Sequence, residues 1–239
     1  MKSFFLFLVV VSVLVSSGCV SSSASANSYF SFREQKYLDT MLSGWHIKVN
    51  LSLLENNKTV TNQTMDFLAS ELTTIAMTVP PDALNFLRDI PIWLEQPTKG
   101  NVTIQYHHDA GWLKDNGYDP RKLGAMEIAA VDFFNRKGKD TLVLLPAFAF
   151  AYVFRVMGNH NKTMYNAYEN AKLTELYTLQ DYTNKDDKRF RMRNAENYFA
   201  VVSQAYFGAL NDTPHNRKEL ETYDPVGYKM VEELWKIKK

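Results

Sequence analysis

The stretch TLVLLPAFAFAYVFRVM, residues 141–157, is almost wholly apolar and decides how the rest of the chain packs. A helix that is hydrophobic on all sides belongs in the centre of a protein, so this stretch predicts a central buried helix. Pro146 stands inside it, and a proline in a helix interior removes a hydrogen bond and costs about 3 kcal/mol. We therefore expect the helix to begin near Leu145 or to kink there.

Upstream of this helix, the residue patterns favour strands. Apolar and polar residues alternate from Trp45 to Leu53, which is the period of a half-buried strand, and this alternation predicts that Asn50 faces solvent. Further strands are expected at residues 91–94 and 102–106, and residues 126–134 favour a strand that runs into a short helix.

Helical patterns occupy the rest of the chain. Residues 61–77 have helical spacing that ends at Pro80 and Pro81, and Asp82 is expected to cap a short helix through Leu87. Three further helices are predicted at residues 162–177, 195–207 and 225–236, the last capped by Asp224. Together these elements predict an α+β fold, in which a small N-terminal sheet packs on a C-terminal helical layer with the central helix between them.

Composition and charge narrow the classes of function. The chain has 239 residues, of which 46% are hydrophobic and 22% are charged, and its 27 basic residues nearly balance its 26 acidic ones. This length suffices for one large core, as in a single globular domain. Because a nearly neutral chain has no field that attracts nucleic acid, we expect no nucleic-acid partner.

The N-terminal segment has the pattern of a secretory signal peptide. Lys2 precedes the apolar run FFLFLVVVSVLV at residues 4–15, and small residues follow that run. Its twelve residues are fewer than the about 20 of a transmembrane helix. We expect residues 1–26 to be removed by cleavage near residues 18–26, which leaves residues 27–239 as a secreted, extracellular domain with no transmembrane segment. The alternative is a bacterial lipoprotein signal, lipidated at Cys19.

Six Asn-X-Ser/Thr acceptor sequences accompany this signal, more than the composition predicts by chance. They predict N-glycosylation, and a glycosylated asparagine lies on the protein surface. The acceptors are Asn50, Asn57, Asn62, Asn101, Asn161 and Asn211.

Three segments carry a resemblance to a known family. They are YHHDAGWLKDNGYDPRKLGAMEIA at residues 106–129, NYFAVVSQAYFGALND at residues 197–212 and RKELETYDPVGYKMVEELW at residues 217–235. In their order and spacing they resemble the small secreted zinc metallopeptidase-like domains related to the catalytic domain of anthrax lethal factor. The resemblance runs from Trp45 to the C-terminus and implies a zincin-like fold.

Members of that family carry the motif His-Glu-X-X-His on the central helix. Its histidines bind zinc from one face of the helix, and its glutamate activates the attacking water. The resemblance places Pro146 and Phe150 at the histidine positions and Ala147 at the glutamate position. None of these three side chains can bind zinc or transfer a proton.

A later helix completes the site in the family. The resemblance places Asn197 at the third zinc ligand, a glutamate, and Val201 at a second glutamate. Phe190 stands where the family has a tyrosine that assists the transition state. Because every functional group of the motif is replaced, the resemblance implies no bound zinc, no other cofactor and no catalysis.

The remaining polar residues give weaker signals. The histidines His46, His107, His108, His160 and His215 include no pair with the i, i+4 spacing of a helical zinc site. The neighbours His107 and His108 would point to opposite faces of a strand, which disfavours a shared metal. Three glutamates are expected on the solvated faces of helices: Glu169, Glu175 and Glu196.

The leading hypothesis is a secreted, N-glycosylated pseudo-metallopeptidase. Without zinc ligands or a general base, it would have a binding or structural role toward an extracellular protein or the extracellular matrix, whose identity the sequence leaves open. Two alternatives stay open: a hydrolase with a site rebuilt around other residues such as His107 and His108, and a lipid-anchored bacterial lipoprotein with a binding role.

Overall fold

A mixed five-stranded sheet organises the fold, and the computed structural model describes residues 36–96, 103–138, 142–158, 160–177, 194–208, 210 and 213–236. The strands are β1 (Tyr37–Leu42), β2 (Trp45–Asn50), β3 (Ile92–Glu95), β4 (Ile104–Tyr106) and β5 (Met126–Ala129). They lie in the order β1-β2-β3-β5-β4, in which β2, β3 and β5 are parallel and each edge strand is antiparallel to its neighbour. The predicted signal segment, residues 1–26, lies outside the described residues.

Helices connect the strands and form the second half of the chain. They are α1 (Leu51–Asn56), α2 (Lys58–Thr78), α3 (Pro81–Arg88), α4 (Ala110–Asp115), α5 (Ala130–Phe134), α6 (Leu145–Tyr152), α7 (Lys162–Leu173), α8 (Ala195–Phe207), α9 (Arg217–Tyr223) and α10 (Pro225–Leu234). A 3₁₀ turn covers Pro120–Lys122, and a π-helical turn, Val153–Met157, continues α6. Sheet and helices together confirm the predicted α+β class.

One face of the sheet builds the core. Trp45, Ile47 and Val49 of β2 are buried, which confirms the alternation predicted for this strand. Their neighbours in β3 and β5, such as Ile92 and Ile128, belong to the same hydrophobic cluster as the buried residues of the helices. Side chains that alternate with these residues project from the opposite face, which we call the outer face of the sheet.

The strand predicted through Leu53 ends earlier, at Asn50. The Asn50 side-chain oxygen accepts a hydrogen bond from the backbone N–H of Ser52, at 3.0 Å, and so caps α1. Asn50 is also only 3% exposed, so the expectation that it faces solvent is wrong. Its buried polar partners lie on the outer face of the sheet.

The first strand was not predicted. It joins β2 through a two-residue turn, in which Ser43 and Gly44 both have positive φ, at 48° and 91°. Such turns match the twist of a hairpin and favour glycine. A Ser-Gly pair between two strand-like runs was the available sequence signal.

The predicted helices of the first half are confirmed with small shifts. Helix α2 ends at Thr78, and Pro81 opens α3. Asp82 lies in the first turn of α3 instead of at its cap, a position held by Pro80. Residues 126–134 form β5 followed directly by α5, as expected.

The central stretch forms a shorter helix than its apolar run. Helix α6 begins at Leu145 and places Pro146 in the first turn, where a missing N–H costs no helical hydrogen bond. Leu145, Phe148 and Ala149 are fully buried, as expected for the central helix. Of the helices predicted after it, α8 has the predicted bounds, α7 and α10 end earlier, and Asp224 caps α10.

No helix within these residues combines the length and the apolar character that a bilayer crossing needs.

Candidate functional site

Helices α6 and α8 pack against each other and carry five of the positions that the resemblance assigns to a metal site. Pro146, Ala147 and Phe150 lie on α6, and Asn197 and Val201 lie on α8. All five are half-buried, and the apolar ones among them pack at the edge of the core. The structure therefore brings together the two helices that the resemblance pairs.

The sixth position, Phe190, lies outside the described residues.

A buried carboxylate binds the backbone at the N-terminal end of α6. Glu71 of α2 is 8% exposed, and its Oε2 accepts a hydrogen bond from the backbone N–H of Leu144, at 3.4 Å. Burial raises the pKa of the Glu71 carboxyl, and backbone hydrogen bonds from Leu144 and Val143 offset only part of that rise. An acidic group from another helix thus satisfies the N–H groups just before Pro146.

Phe150 belongs to an aromatic cluster with His108 and Phe154. The rings of His108 and Phe154 stack with centroids 4.0 Å apart and planes 13° apart, and Phe150 lies 4.9 Å from Phe154 and 5.8 Å from His108. Burial lowers the pKa of His108, which favours its neutral form. Apolar and neutral aromatic groups therefore surround Phe150, the position that the resemblance assigns to the second zinc-binding histidine.

The two neighbouring histidines serve different clusters. The His107 ring is 5.2 Å from that of Tyr118 and 6.0 Å from that of Trp112, whereas His108 packs on the phenylalanines of α6 and its π-helical turn. This separation agrees with the expectation that they point in opposite directions. In the described part of the chain, no group of three or more His, Cys, Asp or Glu side chains could hold a metal ion.

One glutamate expected on a solvated surface is buried. Glu196 of α8 is 6% exposed and accepts a hydrogen bond from the hydroxyl of Tyr165, at 3.3 Å. The expectation was wrong for Glu196 because α8 packs against both α6 and α7, which leaves it little solvated surface. Glu169 is exposed and paired with Lys172 at 2.9 Å, and Glu175 is exposed just beyond α7, as expected.

The structure also contains a polar cluster that the sequence did not predict. It lies on the outer face of the sheet. Asn50 is the last residue of β2, Glu95 is the last residue of β3, and Glu127 is the second residue of β5. Lys122, from the 3₁₀ turn, and His107, which follows β4, complete it. All five are at most 6% exposed. We call these residues, with Tyr37, the outer-face network.

Lys122 links the two carboxylates of this network. Its Nζ lies 2.7 Å from Glu95 Oε1 and 2.8 Å from Glu127 Oε2. Glu95 also accepts hydrogen bonds from the hydroxyl of Tyr37, at 2.6 Å, and from Nδ2 of Asn50, at 2.7 Å. His107 Nε2 lies 2.9 Å from Glu127 Oε2. Four strands and one turn are thus tied together by buried polar contacts.

The electrostatics favour the charged forms of Glu127 and Lys122 and the protonated form of Tyr37. Burial alone would raise the pKa of Glu127, but the His107 hydrogen bond and the Lys122 charge outweigh it and hold that pKa below its ordinary value. Burial likewise opposes the charge on Lys122, yet Glu127 and Glu95 raise its pKa overall. Burial and the Glu95 hydrogen bond raise the pKa of Tyr37 far above its usual range, so its hydroxyl stays protonated and donates.

Two buried nitrogen atoms at this face have no hydrogen-bond partner among the described residues: Nδ1 of His107 and Nε1 of Trp93. Because ionised Glu127 can only accept, His107 Nε2 carries the hydrogen in the bond between them. Lys122 bridges Glu95 and Glu127, and each of the three groups is held by several bonds, an arrangement that suits stabilisation more than proton transfer. The one available sequence signal was Glu127, a charge inside the apolar strand segment AMEIAA.

The predicted glycosylation acceptors that lie within the described residues differ in solvent accessibility. Asn57 and Asn62 are exposed, and Asn161 is half-buried, with its side-chain oxygen capping α7 at 3.1 Å from the Met164 N–H. Asn50 is buried, and the nitrogen that a glycan would occupy is bonded to Glu95. Asn50 is therefore a poor acceptor in the folded protein.

Asn101 and Asn211 lie outside the described residues. Glycosylation of the other acceptors stays a prediction.

Comparisons of the chain with known protein families, with curated proteins and with solved structures each found no match.

Proposed function

We propose that this protein is a secreted, N-glycosylated, non-catalytic member of the zincin-like metallopeptidase group, with a binding or structural role outside the cell. The observation that carries the proposal is the chemistry at the motif positions of α6 and α8. Pro146, Ala147 and Phe150 lie on one helix and Asn197 on the helix packed against it, and none of them is a strong zinc ligand or general base.

The surroundings of these positions support the proposal. A vacated zinc site would leave buried imidazoles and carboxylates without a partner, at a cost of several kcal/mol. Here the stacked rings of His108 and Phe154, with Phe150 tilted against both, occupy that neighbourhood, and the nearby Glu71 carboxylate is bonded to the backbone.

The decisive experiment measures zinc in the protein and in a restored variant. The variant carries Pro146→His, Ala147→Glu, Phe150→His and Asn197→Glu, which would rebuild the family motif. We expect no zinc in the wild-type protein and one zinc per chain in the variant, measured by elemental analysis after dialysis against buffered zinc. A matched control omits only Phe150→His and so lacks one ligand; we expect it to bind zinc far more weakly.

Two results would overturn the proposal. Stoichiometric zinc in the wild-type protein would contradict the loss of the metal site, and peptide hydrolysis by it in a peptide-library assay would contradict the non-catalytic role. Failure of a folded restored variant to bind zinc would show that α6 and α8 do not form a zincin-like frame.

The secretory part of the proposal has its own test. Expressed with its full N-terminus in eukaryotic cells, the protein should appear in the medium, lose mass on N-glycanase treatment and begin within residues 19–27. Peptide mapping should find glycans at Asn57 or Asn62 and none at Asn50. Retention in the cells, or a lipidated Cys19, would contradict it.

A further inference from the structure

A pocket of about 250 Å³ opens on the outer face of the sheet beside the outer-face network. It is lined by Tyr37, Asp39, Lys48, Pro91, Trp93 and Arg121. The strand register explains this grouping, because Asp39 pairs with Lys48 across β1 and β2, and Lys48 pairs with Trp93 across β2 and β3. The pocket is therefore built on three adjacent strands and on the 3₁₀ turn, all rigid elements.

The charged groups of the pocket are balanced by neighbours. Lys48 forms an ion pair with Asp39. The Arg121 guanidinium binds Asp119, with 2.7 Å between Nη2 and Oδ2 and 2.9 Å between Nε and the same oxygen. A charged ligand would have to compete with these pairs and leave one partner unneutralised.

The pocket offers both hydrogen-bond donors and acceptors. The accessible donors are the ammonium of Lys48 and the guanidinium of Arg121, and the Asp39 carboxylate accepts. Trp93 is 2% exposed, and its Nε1–H, which has no acceptor among the described residues, is shielded from solvent. Tyr37 donates its hydroxyl hydrogen to Glu95, which leaves its oxygen as an acceptor.

We propose that this pocket binds a neutral polyhydroxylated ligand, namely a single sugar ring. Hydroxyl groups donate and accept, so one ring can donate to Asp39 while it accepts from Lys48 and Arg121. The volume lies below the roughly 300–1,000 Å³ of pockets for drug-sized ligands, as expected for one ring. This inference goes beyond the proposed function, because sugar binding here is independent of zinc content at α6.

The test follows the indole N–H of Trp93 by NMR. Uniformly ¹⁵N-labelled protein is titrated with D-glucose, D-galactose, D-mannose and N-acetyl-D-glucosamine, and Trp93→Phe assigns the Trp93 signal. We expect at least one sugar to move this signal saturably, since Trp93 lines the pocket, while the signal of the buried indole of Trp235 stays in place. Glycerol, acetate and ammonium are titrated in parallel as a simple polyol and as charged probes.

Variants then locate the bound ring. Asp39→Ala and Arg121→Gln should each weaken sugar binding by about tenfold or more, since each removes a hydrogen bond to a charged group. Lys229→Gln removes one exposed charge on α10, away from the pocket, and should leave affinity unchanged. Unchanged amide spectra establish that each variant is folded.

Three results would overturn the inference. The first is no saturable shift of the Trp93 signal with any of the four sugars up to about 50 mM, well above the millimolar range of weak binding. The second is a saturable shift with glycerol, acetate or ammonium but with no sugar. The third is sugar affinity that Asp39→Ala and Arg121→Gln leave unchanged.

Discussion

Replacing Lys122 by methionine tests whether the outer-face network stabilises the fold as one unit. The Lys122 ammonium lies within 2.8 Å of both Glu95 and Glu127, and its side chain is 8% exposed. Methionine keeps most of the apolar stem and removes the charge, so the cavity term is small. The variant then buries two carboxylates without their shared cation.

The expected loss is large. Breaking a buried ion pair by removing one partner costs about 3–5 kcal/mol, because the remaining charge is left uncompensated. For a domain of this size that loss lowers Tm by about 10 °C. The control is Lys48→Met, which breaks a partly exposed pair with Asp39 and should cost less than about 1 kcal/mol.

The pH dependence gives a second, sharper expectation. In the wild-type protein the pKa of Glu127 is depressed, so its stabilising contribution is present above its unfolded pKa of about 4.3 and is lost as pH falls through the folded value. Without Lys122, the cation that opposes the burial of Glu127 is gone and the pKa of Glu127 rises, so the variant is penalised at pH 7 and recovers on acidification. The stability gap between the two proteins should therefore narrow from pH 7 to pH 5.

The measurement is urea unfolding followed by circular dichroism at pH 7 and pH 5. A gap below about 1 kcal/mol at pH 7 would refute the reasoning, since that is the scale of an exposed pair. A gap of equal size at both pH values would refute it as well. If Lys122→Met does not fold at pH 7, its unfolding at pH 5 still tests the predicted recovery.

Two further substitutions test local features of the fold. Glu71→Gln should stabilise the protein by about 1 kcal/mol at pH 7 and by less near pH 4, because the raised pKa of Glu71 means that its charge costs stability above its unfolded pKa. Urea unfolding at both pH values measures this difference, and a less stable variant at pH 7 would contradict the prediction. Gly227→Ala should destabilise by about 1–3 kcal/mol, because the added Cβ would overlap the Asp224 carboxylate and the Tyr198 hydroxyl. Calorimetry against the exposed neighbour Val226→Ala checks this, and equal Tm values would disprove it.

Local patterns predicted most of the regular structure. Helix α8 has its predicted bounds, Asp224 caps α10, and residues 126–134 form a strand followed by a helix. Period, capping residues and prolines act over a few neighbours, so they can be read without knowing the fold. The same patterns failed at Asn50. The strand alternation predicted that this polar residue faces solvent, but Asn50 is buried and caps α1.

The candidate site was also predicted only in part. The resemblance picked positions on α6 and α8, and the fold packs those helices together. It gave no sign of the outer-face network, because Tyr37 and Glu95 are far in the chain from Lys122 and Glu127, and only Glu127 stands out as a charge inside an apolar strand segment. The prediction that Glu196 is solvated was wrong for a similar reason, since the burial of a helix face depends on which helices pack around it.

The order of residues alone therefore determined the α+β class and the position of the central helix. Only the tertiary structure decided that Lys122 would join Glu95 and Glu127, and that Trp93 would line a pocket with Asp39 and Arg121. Helical and strand periods are local properties of the backbone, whereas a buried charge or a pocket exists only when distant segments exclude water together.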